Sequence, residues 1–239
     1  MDEVLLKLDG VSFSHRRGRR SLLVLDGVSL ELVAGELAGV WGRRGSGKST
    51  LAHVAAGVLR PDSGSVLLDG RPLADDDRRG VLHAQIGLAT RRGPELEEMP
   101  IEDWVASALL TSCRYREAMR LAHVALEKVG AGQLSGVLWA ELSDGERMLV
   151  SIAQAIVRGP RVLIVDDPLA GMGAEERDEL MTLLRSIAAA GVAVLMTAAE
   201  LVELRGADRI WSLRDGHLEG PTVRPGGTVV ELRSSARPR

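Results

Sequence analysis

Cysteine is almost absent from this 239-residue chain, Cys113 standing alone. One thiol excludes a disulfide framework and a cysteine-built metal site, and the expected compartment is a reducing one. Aromatic residues make up only 3%. No excess of either charge is present: 30 basic side chains against 33 acidic ones leave a net charge of -3. That balance argues against a nucleic-acid binder held by its electrostatics, so no nucleic-acid partner is expected. No apolar run approaches the roughly 18 residues of a membrane span. The first residues, Met1, Asp2 and Glu3, carry acids where a secretory leader carries positive charge. Any membrane role is therefore expected to come through partners. What remains is ordinary for a globular protein, 45% apolar and 26% charged, and long enough for one large α/β domain carrying a smaller subdomain.

The chain is organised around one stretch, Gly42-Arg43-Arg44-Gly45-Ser46-Gly47-Lys48-Ser49-Thr50. Residues 37–40 lead in as an apolar strand and residues 51–56 lead out as a helix. This spacing wraps glycine-rich backbone around a polyphosphate, with N–H groups pointing inward at a helix N-terminus that already favours negative charge. Lys48 is expected to reach the β- and γ-phosphates, and the Ser49 hydroxyl to ligate Mg2+. The cradle residues are thus Gly42, Gly45, Ser46, Gly47, Lys48, Ser49 and Thr50.

Before the cradle, Val4, Leu6, Leu8, Val11 and Phe13 alternate as in a half-buried strand. The basic run at residues 15–20 reads as a solvated loop. Residues 22–25 and 28–32 then read as strands around an Asp26-Gly27 turn, giving a small antiparallel sheet. From about residue 91 to 133 apolar residues recur at threes and fours, the mark of helices; His123 within them reads as a helix-surface or core histidine. Residues 162–165 form an apolar strand ending in Asp166, a carboxylate expected beside Lys48 and Ser49 to hold Mg2+. A helix at 175–190 and strands at 192–196 and 209–213 follow. The expected fold is α/β: a phosphate-loop core with a mainly parallel sheet, an N-terminal antiparallel β subdomain and an inserted helical subdomain. It is expected as one domain over residues 1–220, the helical insert at about 92–158. Residues 221–239 read as a weakly ordered tail with one short strand at 228–232.

With Leu142-Ser143-Asp144-Gly145-Glu146-Arg147 opening a helix some twenty residues before the Asp166 strand, the chain resembles the ATP-binding cassette (ABC) ATPases, the nucleotide-binding subunits of ABC transporters. The resemblance covers roughly residues 3–220 and includes Pro61-Asp62-Ser63-Gly64, Asp69-Gly70 and Asp215-Gly216. It implies ATP and Mg2+ as cofactors. It also implies two cassettes stacked head to tail, Ser143 and Gly145 of one chain closing on the nucleotide of the other. Separate transmembrane subunits would complete the assembly and hold this chain, itself cytoplasmic, at the inner face of a bacterial cell membrane. By the same resemblance His15 stands at the adenine-stacking position while Phe13 reads as core.

Departures from the family pattern fall at the residues that prepare the attacking water. Asp167 stands where a glutamate is usual, Ala198 where a histidine contacts the γ-phosphate, and Arg91 where a glutamine senses Mg2+. Gly173 replaces an aspartate, and the signature reads Ser-Asp-Gly-Glu in place of Ser-Gly-Gly-Gln, setting two acids near a triphosphate. Gln85 is a conceivable substitute for the glutamine, on the wrong side of the following strand. A shortened acid at Asp167 draws its carboxylate back by about 1 Å, a displacement that can cost about a hundredfold in rate. The expectation is intact binding and slow turnover, with Asp167 and Lys48 as the catalytic pair. Three assignments follow: the ATPase subunit of a transporter, a nucleotide-dependent regulatory subunit of an asymmetric pair, or a soluble non-transport ATPase. Glu95, Glu97 and Glu98 give the rim of the expected partner groove an acidic character.

Overall fold

The computed structural model describes residues 3–18, 20–73, 85–94 and 98–223. The tail strand expected at 228–232 and the acids Glu95 and Glu97 lie outside these residues.

The chain opens with a long hairpin of β1 (Val4–Arg17) and β2 (Arg20–Val33). Leu6, Leu8 and Val11 are buried while Asp9 is exposed, the alternation of a strand with one wet face. Two local expectations are corrected here. The basic run is not a loop: His15, Arg16 and Arg17 belong to β1, and Arg17 pairs with Arg20 across the hairpin end. Asp26-Gly27 is not a turn either, because β2 continues through it. Between the pairs Val11–Val28 and Phe13–Leu25 the register slips, and Gly27, at φ +61°, supplies the extra residue of a bulge. A glycine in the left-handed region lets the strand absorb one residue without reversing. β4 (Ser63–Leu68) and β5 (Arg71–Pro72) complete an antiparallel sheet of order β2-β1-β4-β5.

The second sheet holds β3 (Leu37–Trp41), β6 (Ile86–Ala89), β7 (Val162–Val165), β8 (Ala193–Ala198), β9 (Arg209–Arg214) and β10 (His217–Val223), in the order β10-β9-β3-β8-β7-β6. It is parallel from β9 to β6, and β10 returns antiparallel on β9. β10 runs to Val223, past the boundary expected at residue 220. Among the described residues the α-helices are α1 (Lys48–Ala55), α2 (Ile101–Ser107), α3 (Tyr115–Lys128), α4 (Asp144–Ile156) and α5 (Ala174–Ala189). α2, α3 and α4 stand between β6 and β7, where the helical insert was expected.

Successive residues of the parallel strands point to opposite faces and feed two cores. Ala38, Val40, Ile164 and Leu195 pack with α1 and the antiparallel sheet. Leu37, Leu163, Val165 and Met196 pack with α2 to α5 on the other face. α1 is thereby sandwiched between the sheets, so its N-terminus is fixed from both sides. A buried ion pair closes the far end of the sheet: Arg209 grips Glu36 with Nη2 2.7 Å from Oε1 and Nε 3.0 Å from Oε2. Burial pushes the Glu36 carboxyl above its ordinary range, against the pull of Arg209.

Candidate functional site

Parallel α/β sheets present their loops to ligands at the carboxyl ends of the strands. Here that edge carries the residues after β3, β6, β7 and β8. The loop between β3 and α1 starts where Gly42 N donates to Ala198 O at 3.2 Å, tying it to the end of β8. A Cβ on Gly42 would fall 2.5 Å from Leu213 O and 2.6 Å from Ser46 Oγ, so only glycine fits. Gly45 and Gly47 take φ +83° and +102°, backbone that side chains resist. Lys48 is buried, its ammonium donating to Gly42 O at 2.6 Å and Arg43 O at 3.2 Å. Burial lowers its pKa, while Asp167, Asp166 and Glu203 pull the other way.

Two of the three buried side-chain atoms without a hydrogen-bond partner among the described residues lie at this loop: Ser46 Oγ and Trp41 Nε1. Polar atoms left so typically cost about 1–3 kcal/mol each. Ser49 is exposed at the first turn of α1, its carbonyl accepting a hydrogen bond from His53 Nδ1 at 2.6 Å. Thr50 is buried and its hydroxyl lies 3.1 Å from His15 Nε2. His15 is exposed and meets Phe13 edge-on at 5.0 Å between ring centroids, leaving a flat face beside α1. Phe13 packs on the core, as expected.

Beyond β7, Asp166 and Asp167 share one organiser, Thr197, which is fully buried on β8. Its hydroxyl donates to Asp166 Oδ1 at 2.7 Å and accepts from Asp167 N at 2.9 Å. Asp167 adopts φ +50°, and its carbonyl accepts a hydrogen bond from Arg91 Nε at 3.3 Å. Burial raises the Asp167 pKa, Arg91 opposes this, and the negative charge of Glu203 adds to the rise. Glu203 is a site residue that sequence reading missed. Its Oε2 accepts from Ala199 N and Glu200 N, both at 3.0 Å, directly after Ala198. The glutamate spaced three residues past Glu200, a capping-box interval, is the signal that locates it.

Ala198 is buried and pairs with Trp41 across the parallel ladder, so an indole flanks the place of the expected histidine. Gln85 sits before the first residue of β6, with its carbonyl accepting from Arg161 and Val162, at the opposite strand end from Arg91; it does not substitute. The loop bearing Arg91 is clamped on both flanks. Thr90 N donates to Ser151 Oγ at 3.0 Å, and Gly93 lies so close to Trp139 that a Cβ would come within 2.1 Å of its Cε2. At the start of α4, Ser143 Oγ accepts from Glu146 N at 3.3 Å and Glu146 Oε2 accepts from Ser143 N at 2.8 Å, a reciprocal cap. Gly145 follows inside the first turn, where an added Cβ would lie 3.2 Å from Glu176 Oε1 of α5. Gly173 caps α5 without a side chain.

The structure therefore brings Gly42 to Thr50, His15, Asp166, Asp167 and Arg91 to one edge, and sets Ser143 and Gly145 on the α4 terminus linked to that edge through Arg91. Such a strand–loop–helix cradle, with a buried lysine and an acid at the end of a neighbouring parallel strand, defines the phosphate-loop class of nucleotide-binding domain. The sequence profile of the ABC transporter family matches residues 25–170. The chain belongs to that family, as its ATP-binding cassette. It is 31% identical over 223 residues to the lipoprotein-releasing system ATP-binding protein LolD of Hyphomonas neptunium, an alignment covering 91% of this chain and 98% of that protein. To the macrolide export ATP-binding/permease protein MacB of Chlorobaculum tepidum it is 30% identical over 215 residues, 89% of this chain and 33% of MacB. The chain thus spans about a third of MacB and nearly all of LolD. In fold it matches MJ0796, a bacterial ABC transporter cassette solved as a dimer, with a TM-score of 0.84 at 23% identity over 93% of this chain and 100% of that one.

Proposed function

We propose that this chain binds Mg-ATP in the cradle from Gly42 to Thr50 and uses the binding to drive separate transmembrane subunits, with slow hydrolysis at its own site. The observation that carries the reading is the pairing of a buried, carbonyl-held Lys48 with the unpartnered Ser46 hydroxyl in one glycine loop. Lys48 would exchange its carbonyl partners for the β- and γ-phosphates, and backbone N–H groups at the α1 terminus would take the rest of the charge. His15 offers the flat face for adenine.

Ser49 and Asp166 suit Mg2+. They are hard oxygen donors, and no cluster of three or more acids, histidines or cysteines occurs among the described residues, which fits an ion held mostly by phosphate and water. When bound, the ion would neutralise phosphate charge. Thr197 sets the orientation of Asp166 and of the Asp167 backbone.

Slow turnover follows from what surrounds the cradle. Asp167 is one methylene short, Ala198 neither donates nor accepts, and the Arg91 guanidinium cannot ligate a cation. A second cassette stacked head to tail would offer Ser143 and Gly145 to the opposite nucleotide. No helix among the described residues is long and apolar enough to cross a membrane. The membrane-spanning part would lie in separate subunits, with this chain docked on them at the inner face of the cell membrane. Leu110 and Tyr115, exposed where α2 gives way to α3, leave apolar surface for such a subunit, with Glu98 exposed on the preceding loop. That LolD belongs to a lipoprotein-releasing system and MacB to macrolide export supports a system that releases or exports its cargo. The domain is proposed as one unit with α2 to α4 as its helical insert.

A second reading, a nucleotide-dependent clamp that regulates a more active partner cassette, is favoured specifically by Ala198. Titration with a fluorescent ATP analogue tests the common part: tight, Mg2+-dependent binding in the wild type, and loss of at least about tenfold in affinity in Lys48→Ala. Wild-type protein without saturable binding overturns it. Co-purification of every chain from the native membrane then separates transporter from clamp.

A further inference from the structure

The α4 terminus carries Asp144 and Glu146 where the family pattern has a glycine and a glutamine, and a bare carboxylate there would oppose any phosphate brought to it. Neither acid is bare. Glu146 folds back onto Ser143 N at 2.8 Å. Asp144 lies between two guanidinium groups, Oδ2 3.9 Å from Arg91 Nη1 and Oδ1 3.8 Å from Arg147 Nη1. Arg147 sits on the same helix, its Nε and Nη2 donating to Trp139 O and Ala140 O at 3.4 and 3.3 Å. Arg91 arrives from beyond β6, and its Nε also donates to Asp167 O. Gly171 closes the other side, where an added Cβ would lie 3.3 Å from Asp144 Oδ2 and 3.9 Å from Arg91 Nη1. Two departures that look unrelated in the sequence, Arg91 for glutamine and Asp144 for glycine, meet as one ion pair.

We propose that Arg91 is a positioning residue for the nucleotide held by the opposite cassette. It acts through Asp144, cancelling its charge and turning the carboxylate toward its own chain, so that a triphosphate in the other cradle can approach Ser143 and Gly145. This rests on the head-to-tail pairing proposed above and is taken for two identical copies of the chain. The pair is half-exposed, and such pairs add little to the stability of a lone chain. When an interface closes and water leaves, the same charges interact more strongly. The effect of Arg91 therefore falls on association with ATP, more than on folding.

Sedimentation velocity of the full chain at ATP and Mg2+ concentrations that saturate each variant's own cradle tests this, with the fluorescent analogue reporting that occupancy. Arg91→Gln is expected to weaken ATP-driven association about tenfold or more. Adding Asp144→Gly to Arg91→Gln restores association toward the wild-type level, and Arg91→Lys keeps part of it. A double variant as weak as Arg91→Gln overturns the proposal, because Arg91 then acts without Asp144. So does unimpaired association of Arg91→Gln, or a wild type that fills its cradle yet stays monomeric. A wild type that never takes up the analogue overturns the ATP-binding reading itself, and this inference with it, before association is measured.

Discussion

The Thr197 hydroxyl donates to Asp166 Oδ1 at 2.7 Å, from a side chain with no exposure to solvent. The same oxygen accepts the Asp167 N–H at 2.9 Å, so one group on β8 sets two acids at the end of β7. Thr197→Val keeps the shape and removes both bonds. It is expected to destabilise the chain by about 1–3 kcal/mol, the usual cost of leaving buried polar groups unpaired. Thr197→Ser is expected to recover most of that. Urea unfolding of the three proteins checks the order; a valine variant as stable as wild type would show that the hydroxyl organises nothing.

The Glu36–Arg209 pair makes stability depend on pH. Burial raises the Glu36 pKa in the fold, so the folded chain holds that proton more tightly than the unfolded one. The contribution is fully present below the unfolded carboxylate pKa, about 4.3, and is lost as pH rises through the folded value. Glu36→Gln is expected to remove that slope, so the difference in Tm between wild type and variant changes across this acidic window and is flat above it. Removing the other partner is harsher: Arg209→Met strands a buried carboxylate and is expected to cost about 3–5 kcal/mol near neutral pH.

Gly93 faces Trp139, which also meets Trp104 edge-on at 4.7 Å. Gly93→Ala drives a methyl into the indole and is expected to cost about 1–3 kcal/mol, with a change in tryptophan fluorescence. Trp139→Leu in the same chain makes room and should reduce the penalty of the alanine. If Gly93→Ala is silent in both stability and fluorescence, the loop that carries Arg91 is not clamped there.

Much of the fold and of the cradle was legible in the sequence because it is written in contiguous runs. Residues 37–50 contain strand, glycine loop and helix start together, and residues 162–167 contain a buried strand with its acids. Asp26-Gly27 misled because turns and bulges recruit the same glycine conformation, and only the partner strand distinguishes them. The basic run misled because charge alone does not tell a hairpin end from a loop. Thr197 and the Arg91–Asp144 pair were not legible for a different reason: each acts on residues brought to it by the fold, and no local spacing records that; Glu203 does carry a local signal, its three-residue spacing from Glu200.

The central claim is that the cradle binds while its surroundings turn over slowly, and Asp167→Glu with Ala198→His tests it most directly. Single-turnover hydrolysis of Mg-ATP, measured beside analogue affinity, is expected to rise at least about tenfold in the double variant at nearly constant affinity. A wild type that already hydrolyses ATP faster than the double variant would contradict the account.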